Sequence, residues 1–377
     1  MKPAACRSGV KPACPPFIAR KFFAGLTEIE ILEAHALTIV LTLIAIILLF
    51  EFTNGLNDSA TLVVTSVITG AMEPRKVLLI IACFEFIGAL FLGTAVALTL
   101  GKGIVSPQDI SLAAIFSAIL GAILWNLGNW FFGMPSSSSH ALIGGLVGAV
   151  AMGSGFHSIH WGKVLGVLGI LILTPFLGLI TGHFLTKRTL TLFENFSPAK
   201  ANRILKRWQI LTSITLALSH GSNDAQKGMW MISLALMIFH KISPEMIGRI
   251  YNPLPENSFY VPLWVILATS ITLALGVSSG SWRIMKTLGT RLYKVRPIHG
   301  FSAQLCASAI IYLASFFGFP VSTTQIVSSS ILGAGAAQGF GSVRWGVGRQ
   351  IFFTWIITIP GAAILSALIL ILVRIWI

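Results

Sequence analysis

The 377-residue chain is 55% hydrophobic and only 10% charged, with a mean hydropathy of +0.85, whereas an ordinary soluble domain carries roughly 25% charged residues. That deficit excludes a soluble binding module, and the repeated apolar runs of about 20 residues belong to an all-α, polytopic membrane protein. The formal charge of +14 does not signal a nucleic-acid partner, because Lys and Arg gather between apolar segments, as cytoplasmic loops do under the positive-inside bias.

In chain order, residues 1–34 form a basic leader with no apolar core before Phe17, so no secretory signal is expected and the first apolar run stays as a span. Cys6 and Cys14 lie there without metal-like spacing, and Cys83 and Cys306 fall inside apolar runs, so reduced, structural roles are expected. A first membrane repeat is expected over 35–190, a basic cytoplasmic loop over 191–207 and a second repeat over 208–377. Apolar elements are predicted at 35–55, 59–72, 77–100, 111–133, 136–152 and 162–185. The second half follows with 208–222, 225–240, 260–281, 301–318, 321–338 and 350–375. Together they make about 10–12 transmembrane or re-entrant helices. Those at 59–72, 136–152 and 225–240 are too short to span and begin at polar motifs, which predicts half-helices or re-entrant hairpins.

Three motifs recur in the same order. "GLNDSA" at 55–60 answers "GSNDAQ" at 221–226, "GMPSSSSHALIGG" from 133 answers "GFPVSTTQIVSSS" from 318, and "WGKVLGV" from 161 answers "WGVGRQI" from 345. The second half gains a polar insertion near 241–260. Two related halves in a membrane protein point to a pseudo-symmetric transporter with its binding site at the midplane, where helices are broken. An odd number of spans per half makes the repeats inverted.

Four acids, Glu51, Asp58, Glu85 and Asp224, lie within or beside apolar runs, where an unpaired carboxylate costs at least about 2–3 kcal/mol. Asp58 and Asp224 hold matching places, each preceded by Asn, and are read as site residues or as N-caps. Glu51 and Glu85 are candidates for ion coupling, and Glu85 equally for a buried structural ion pair. The motifs PSSSSH (135–140) and PVSTTQ (320–325) read as helix entrances, with Pro in the first turn and hydroxyls at the cap. A helix entrance offers unpaired N–H groups and a positive dipole end, so Ser137, Ser138, Ser139, Ser322, Thr323 and Thr324 form a site for a tetrahedral oxyanion. His140 and His220 either shuttle protons or are satisfied by packing. Lys227 either contacts the anion or snorkels to an interface.

A dianion beside two aspartates is repelled unless a cation accompanies it. Asn57, Asp58, Asn223 and Asp224 offer hard oxygen ligands for a coupling cation such as Na⁺, or the carboxylates carry a proton. Coupled symport is therefore the expected chemistry. Aspartate acceptors favour phosphate, which keeps a P–OH near neutral pH, over sulfate, which has none. No activated nucleophile with a partner is present, so an enzyme is not expected.

"NGLNDSATLVVTSVITGAM", "LWNLGNWFFGMPSSSSHALIG", "SHGSNDAQKGM" and "GFSAQLCASAIIYLASFFGFPVSTTQ" resemble the signatures of the inorganic phosphate transporter (Pit) family, over nearly everything from Leu41 onward. The resemblance implies two inverted repeats with phosphate near the pseudo-twofold axis, coupled to Na⁺ or H⁺ or carried as a metal-phosphate complex, in the bacterial inner membrane. It implies no cofactor beyond the coupling cation, and it admits a homodimer. By motif, Asn57, Asp58, Asn223 and Asp224 match the family's Asn-Asp pairs, and the hydroxyl residues match its Ser/Thr motifs. The chain departs from the family pattern at Thr61 and Lys227, where Asn is usual, at Gln304 in place of Glu and at Gln325 in place of His. These changes leave room for proton or metal coupling. A sulfate permease of the same architecture, a non-coupled anion channel and a non-transporting sensor remain alternatives.

Overall fold

A computed structural model describes residues 28–101, 103–105, 109–242, 248, 250–252 and 259–376. The leader up to residue 27, Cys6, Cys14 and most of the expected insertion at 241–260 lie outside the described residues. The chain falls into two compact units, Met1–Thr42 and Leu43–Ile377, and the candidate site lies in the second.

Among the described residues there are twelve α-helices and no strand beyond one isolated bridge. The first half comprises α1 (Glu28–Ile68), α2 (Pro74–Phe91), α3 (Ala95–Gly101), α4 (Leu112–Phe132), α5 (Ser138–Gly153) and α6 (Trp161–Leu192). The second comprises α7 (Pro198–Ile242), α8 (Leu263–Ser279), α9 (Trp282–Lys286), α10 (Pro297–Phe316), α11 (Thr323–Ala336) and α12 (Trp345–Trp376). Among the described residues five helices are long and apolar enough to cross a membrane, or up to seven spans when each bent pair, α2 with α3 (60°) and α8 with Trp282–Arg291 (56°), counts as one. Leu173, Phe176, Ile180 and Phe184 on α6, and Phe353, Ile357, Ile364 and Leu368 on α12, are large apolar side chains turned outward. An aqueous surface would not carry such faces, and a bilayer accepts them. The protein is an integral membrane protein.

The element order repeats, and so do local devices. Trp161 donates its indole N–H to the Phe156 carbonyl at 3.2 Å, and Trp345 does the same to Phe340 at 2.8 Å. The halves are interlocked. Helix α5 packs on α12 while α11 packs on α6, and α2 packs on α7. A methyl added at Gly221 would meet the Glu85 carbonyl and one at Gly88 the Leu218 carbonyl; the matching crossing brings Gly55 onto the Leu273 carbonyl and Gly276 onto that of Phe52. Small residues let these backbones touch where lipid gives no hydrophobic drive to associate.

The structure corrects several expectations. The segments 59–72 and 225–240 are not separate half-helices, because both Asn-Asp motifs lie inside continuous helices of 41 and 45 residues. Their glycines serve the close crossings just described and do not break the helix. The hydroxyls around them bond back to the preceding turn, as Ser59 does to Leu56, Thr61 to Asp58 and Ser222 to Ser219, so these polar groups keep hydrogen-bond partners inside the helix. Asp58 and Asp224 are therefore not N-caps. The expected basic loop at 191–207 is likewise mostly helical, since α6 ends at Leu192 and α7 begins at Pro198.

The short helices at the hydroxyl motifs are as expected. Helices α5 and α11 have 16 and 14 residues, about 24 and 21 Å, too short for a hydrocarbon core of about 30 Å. Gly133 and Gly318, at φ 67° and 71°, close α4 and α10 in the left-handed conformation that spares glycine a Cβ clash. The chain then runs non-helically to Ser137 and Ser322, which cap the His140 and Gln325 amides at 3.2 and 3.4 Å. Pro135 and Pro320 stand two residues before these caps, outside the first turn where the sequence had placed them. Non-helical backbone at membrane depth survives only where protein covers it, and residues 135–140 and 320–325 are all buried.

Candidate functional site

Asp58 on α1 and Asp224 on α7 face each other at the centre of the interlocked halves, exposed by 1% and 0%. His220, one turn before Asp224, sets Nε2 at 3.4 Å from Asp58 Oδ2 and 3.6 Å from Asp224 Oδ2. Its other nitrogen, Nδ1, meets Glu85 Oε1 of α2 at 2.5 Å. Asn54 holds the same place before Asp58 that His220 holds before Asp224, and it donates to Asp224 Oδ2 at 3.2 Å. The exchange is crosswise, with each half's preceding-turn residue serving the other half's aspartate.

Hydroxyls complete the set. From the first turn of α11, Thr323 donates to Asp224 Oδ1 at 3.1 Å and Thr324 donates to Asp58 Oδ1. From the first turn of α5, Ser138 Oγ lies 3.0 Å from Lys227 Nζ, which also binds Asp224 Oδ2 at 2.8 Å. Ser139 donates to the Val321 carbonyl at 3.0 Å, so the two helix entrances touch. The α11 entrance thus meets the carboxylates directly, and the α5 entrance meets the Lys227 ammonium bound to one of them. Three carboxylates face one ammonium and one imidazole here, a deficit of fixed positive charge in a water-poor interior where charge interactions are strong. Asp58, His220 and Asp224 each offer a ligand atom within 4.8 Å of the others, a spacing that suits a proton or a small cation.

Several expected residues stand beside this centre, not in it. Ser137 and Ser322 are spent on capping, and Ser137 also bonds His140 Nδ1 at 2.7 Å, so that imidazole supports the cap. Asn57 donates to the Asn126 carbonyl at 3.4 Å and Asn223 to Ser315 Oγ at 3.0 Å, while the Oδ1 of each is buried without a protein partner. Glu51 is buried against the backbone of Gly228. Gln304 joins a separate neutral knot, donating to Ser66 and Ser213 at 3.0 Å each and accepting from Thr212 at 2.9 Å. A glutamate would not satisfy that donor pattern, whereas the amide does. Asn54 was missed by sequence reasoning, although its place one turn from Asp58, opposite His220 in the repeat, was a signal.

A cavity of about 10 Å³ lies beside Lys227, bounded by Ser139, Asn223, Trp230 and Pro320, roughly room for one water. A cleft of about 600 Å³ between α6, α11 and α12 is lined by Phe176, Leu179, Leu332, Trp345 and Arg349. Neither space is lined by a carboxylate, but the small one adjoins the cluster through Lys227, which binds Asp224 Oδ2, whereas the large cleft touches none of these residues.

The model of the phosphate transporter family matches residues 54–366. A "probable low-affinity inorganic phosphate transporter" of Rhizobium meliloti (strain 1021) is 39% identical over 333 residues, covering 88% of this chain and 96% of its own length. One of the same name from Bacillus subtilis (strain 168) is 38% identical over 334 residues, with the same coverage. Among solved structures, "The sodium-dependent phosphate transporter" superposes with a TM-score of 0.76 at 22% identity, over 90% of this chain and 100% of that one, and so shares the fold.

Proposed function

Because the chain belongs to the phosphate transporter family, we propose that it takes up inorganic phosphate across the bacterial inner membrane by symport with a coupling cation. One observation carries this reading: Thr323 and Thr324, neighbours on a single helix entrance, reach Asp224 and Asp58 from different halves. The hydroxyls that suit an oxyanion are thus turned onto the carboxylates that suit a cation. An entering phosphate takes Ser138, Thr323 and Thr324 as donors, and the released carboxylates take the cation or accept from P–OH. Each ion prepares the site of the other, which is the reciprocity that coupling requires. Asn57 and Asn223 supply their unpartnered carbonyl oxygens, and Ser137, Ser139 and Ser322 hold the two entrances in place. Glu85, bonded to His220, tunes the charge of the cluster and passes protons, and Glu51 and His140 act on it only through their buried charge and dipole.

Basic residues support an orientation. Lys206 Nζ lies beside Gly70, near Arg75 and Lys76 in sequence, and the Arg344 amide bonds the Leu292 carbonyl at 2.9 Å. The end of the molecule bearing these residues and the link between α6 and α7 faces the cytoplasm under the positive-inside bias.

Reconstituted protein is expected to concentrate radiolabelled phosphate in liposomes under an imposed Na⁺, H⁺ or Mg²⁺ gradient, with sulfate a weak competitor. Asp58→Asn and Asp224→Asn should each abolish uptake while the protein stays in the membrane, and undiminished uptake removes their roles. Uptake displaced by sulfate and not phosphate identifies a sulfate permease, and flux that never exceeds equilibrium identifies a channel.

A further inference from the structure

One difference between the two halves lies three residues after each aspartate. Three residues after Asp58 stands Thr61, whose hydroxyl is spent on the Asp58 carbonyl at 2.8 Å. Three residues after Asp224 stands Lys227. Its side chain does not snorkel outward: it is only 3% exposed, and Nζ lies 2.8 Å from Asp224 Oδ2 and 3.0 Å from Ser138 Oγ. Its ammonium thus bridges the second half's carboxylate and the first half's helix entrance, and it borders the cavity shared with Ser139 and Asn223. Those are the contacts a mobile cation would make between a carboxylate and an incoming oxyanion. With the ammonium seated there, a sodium ion on Asp224 Oδ2 would be repelled by a like charge at van der Waals range.

We propose that Lys227 is a tethered replacement for a coupling cation: it neutralises Asp224 and presents a fixed positive charge to phosphate at the start of α5, so that a mobile cation is needed only at Asp58. This rests on the phosphate-symport reading above. It removes the sodium requirement at Asp224, and the one charge still needed at Asp58 is carried in by a proton or by a metal travelling with phosphate, so phosphate binding is indifferent to sodium.

The test is phosphate binding to purified, detergent-solubilised protein in sodium chloride and in choline chloride. The intact protein should bind equally in both salts, as should Lys227→Arg. Lys227→Asn should bind about tenfold or more weakly in choline, the loss of one charge-assisted contact, and should recover in sodium. Sodium-dependent binding by the intact protein, or a Lys227→Asn deficit equal in both salts, overturns the proposal. If Lys227→Asn does not fold, the salt comparison on the intact protein still decides. An intact protein that binds no phosphate in either salt defeats the transport reading itself, an outcome distinct from binding that merely needs sodium.

Discussion

At the scale of single residues, the site is a set of crosswise debts between halves. His220 is held by Glu85 on one side and faces two aspartates on the other, whereas Leu273 occupies the place of Glu85 in the matching crossing. Glu85→Leu, which copies that second crossing, strands a buried imidazole and should cost about 3 kcal/mol, read as a lower melting temperature in detergent; Glu85→Gln should cost clearly less. The carboxylates and hydroxyls were legible because polar side chains in apolar runs are expensive, and two matching sets of them resist explanation as accident. The pairs Asn54–Asp224 and His220–Glu85 join residues 170 and 135 positions apart. No local pattern encodes such contacts, and only the repeat alignment hinted at them.

At the scale of elements, glycine acts here through proximity. The sequence reads the polar motifs that contain Gly55 and Gly221 as the starts of half-helices, yet both glycines sit in unbroken helices at points where another backbone touches. Composition does not separate these uses of glycine, since both place it beside polar residues. Gly221→Ala and Gly55→Ala should each push apart a helix crossing and cost about 1–3 kcal/mol, visible as a smaller monodisperse fraction after extraction. The hydroxyl entrances, by contrast, were readable from Pro and Ser/Thr order alone, because capping is a local bond. Ser322→Ala should remove about 1 kcal/mol from α11, and its effect on phosphate uptake should exceed its effect on thermal stability, since the same turn carries Thr323 and Thr324.

At the scale of the whole molecule, the described site is closed: a cavity of about 10 Å³ does not hold a phosphate ion, so loading requires the α5 and α11 entrances to part from each other. The Ser139–Val321 contact at 3.0 Å offers a lock on that motion. In a background freed of native cysteines, Ser139→Cys with Val321→Cys should lose uptake on oxidation and regain it on reduction, and uptake unchanged by oxidation would show that the entrances need not part. The two-half order and its short helices were visible in the repeats; which half packs on which was not, because it is fixed by contacts and not by order. That interlock bears on how the protein is made. Helix α5, emerging early from the ribosome, finds its principal neighbour α12 only after all the intervening chain has been inserted, so until then α4 alone of its two main partners covers its serine-lined start. Biogenesis thus passes through a half-built intermediate that needs shelter, and the first half expressed by itself should be cleared by membrane proteases.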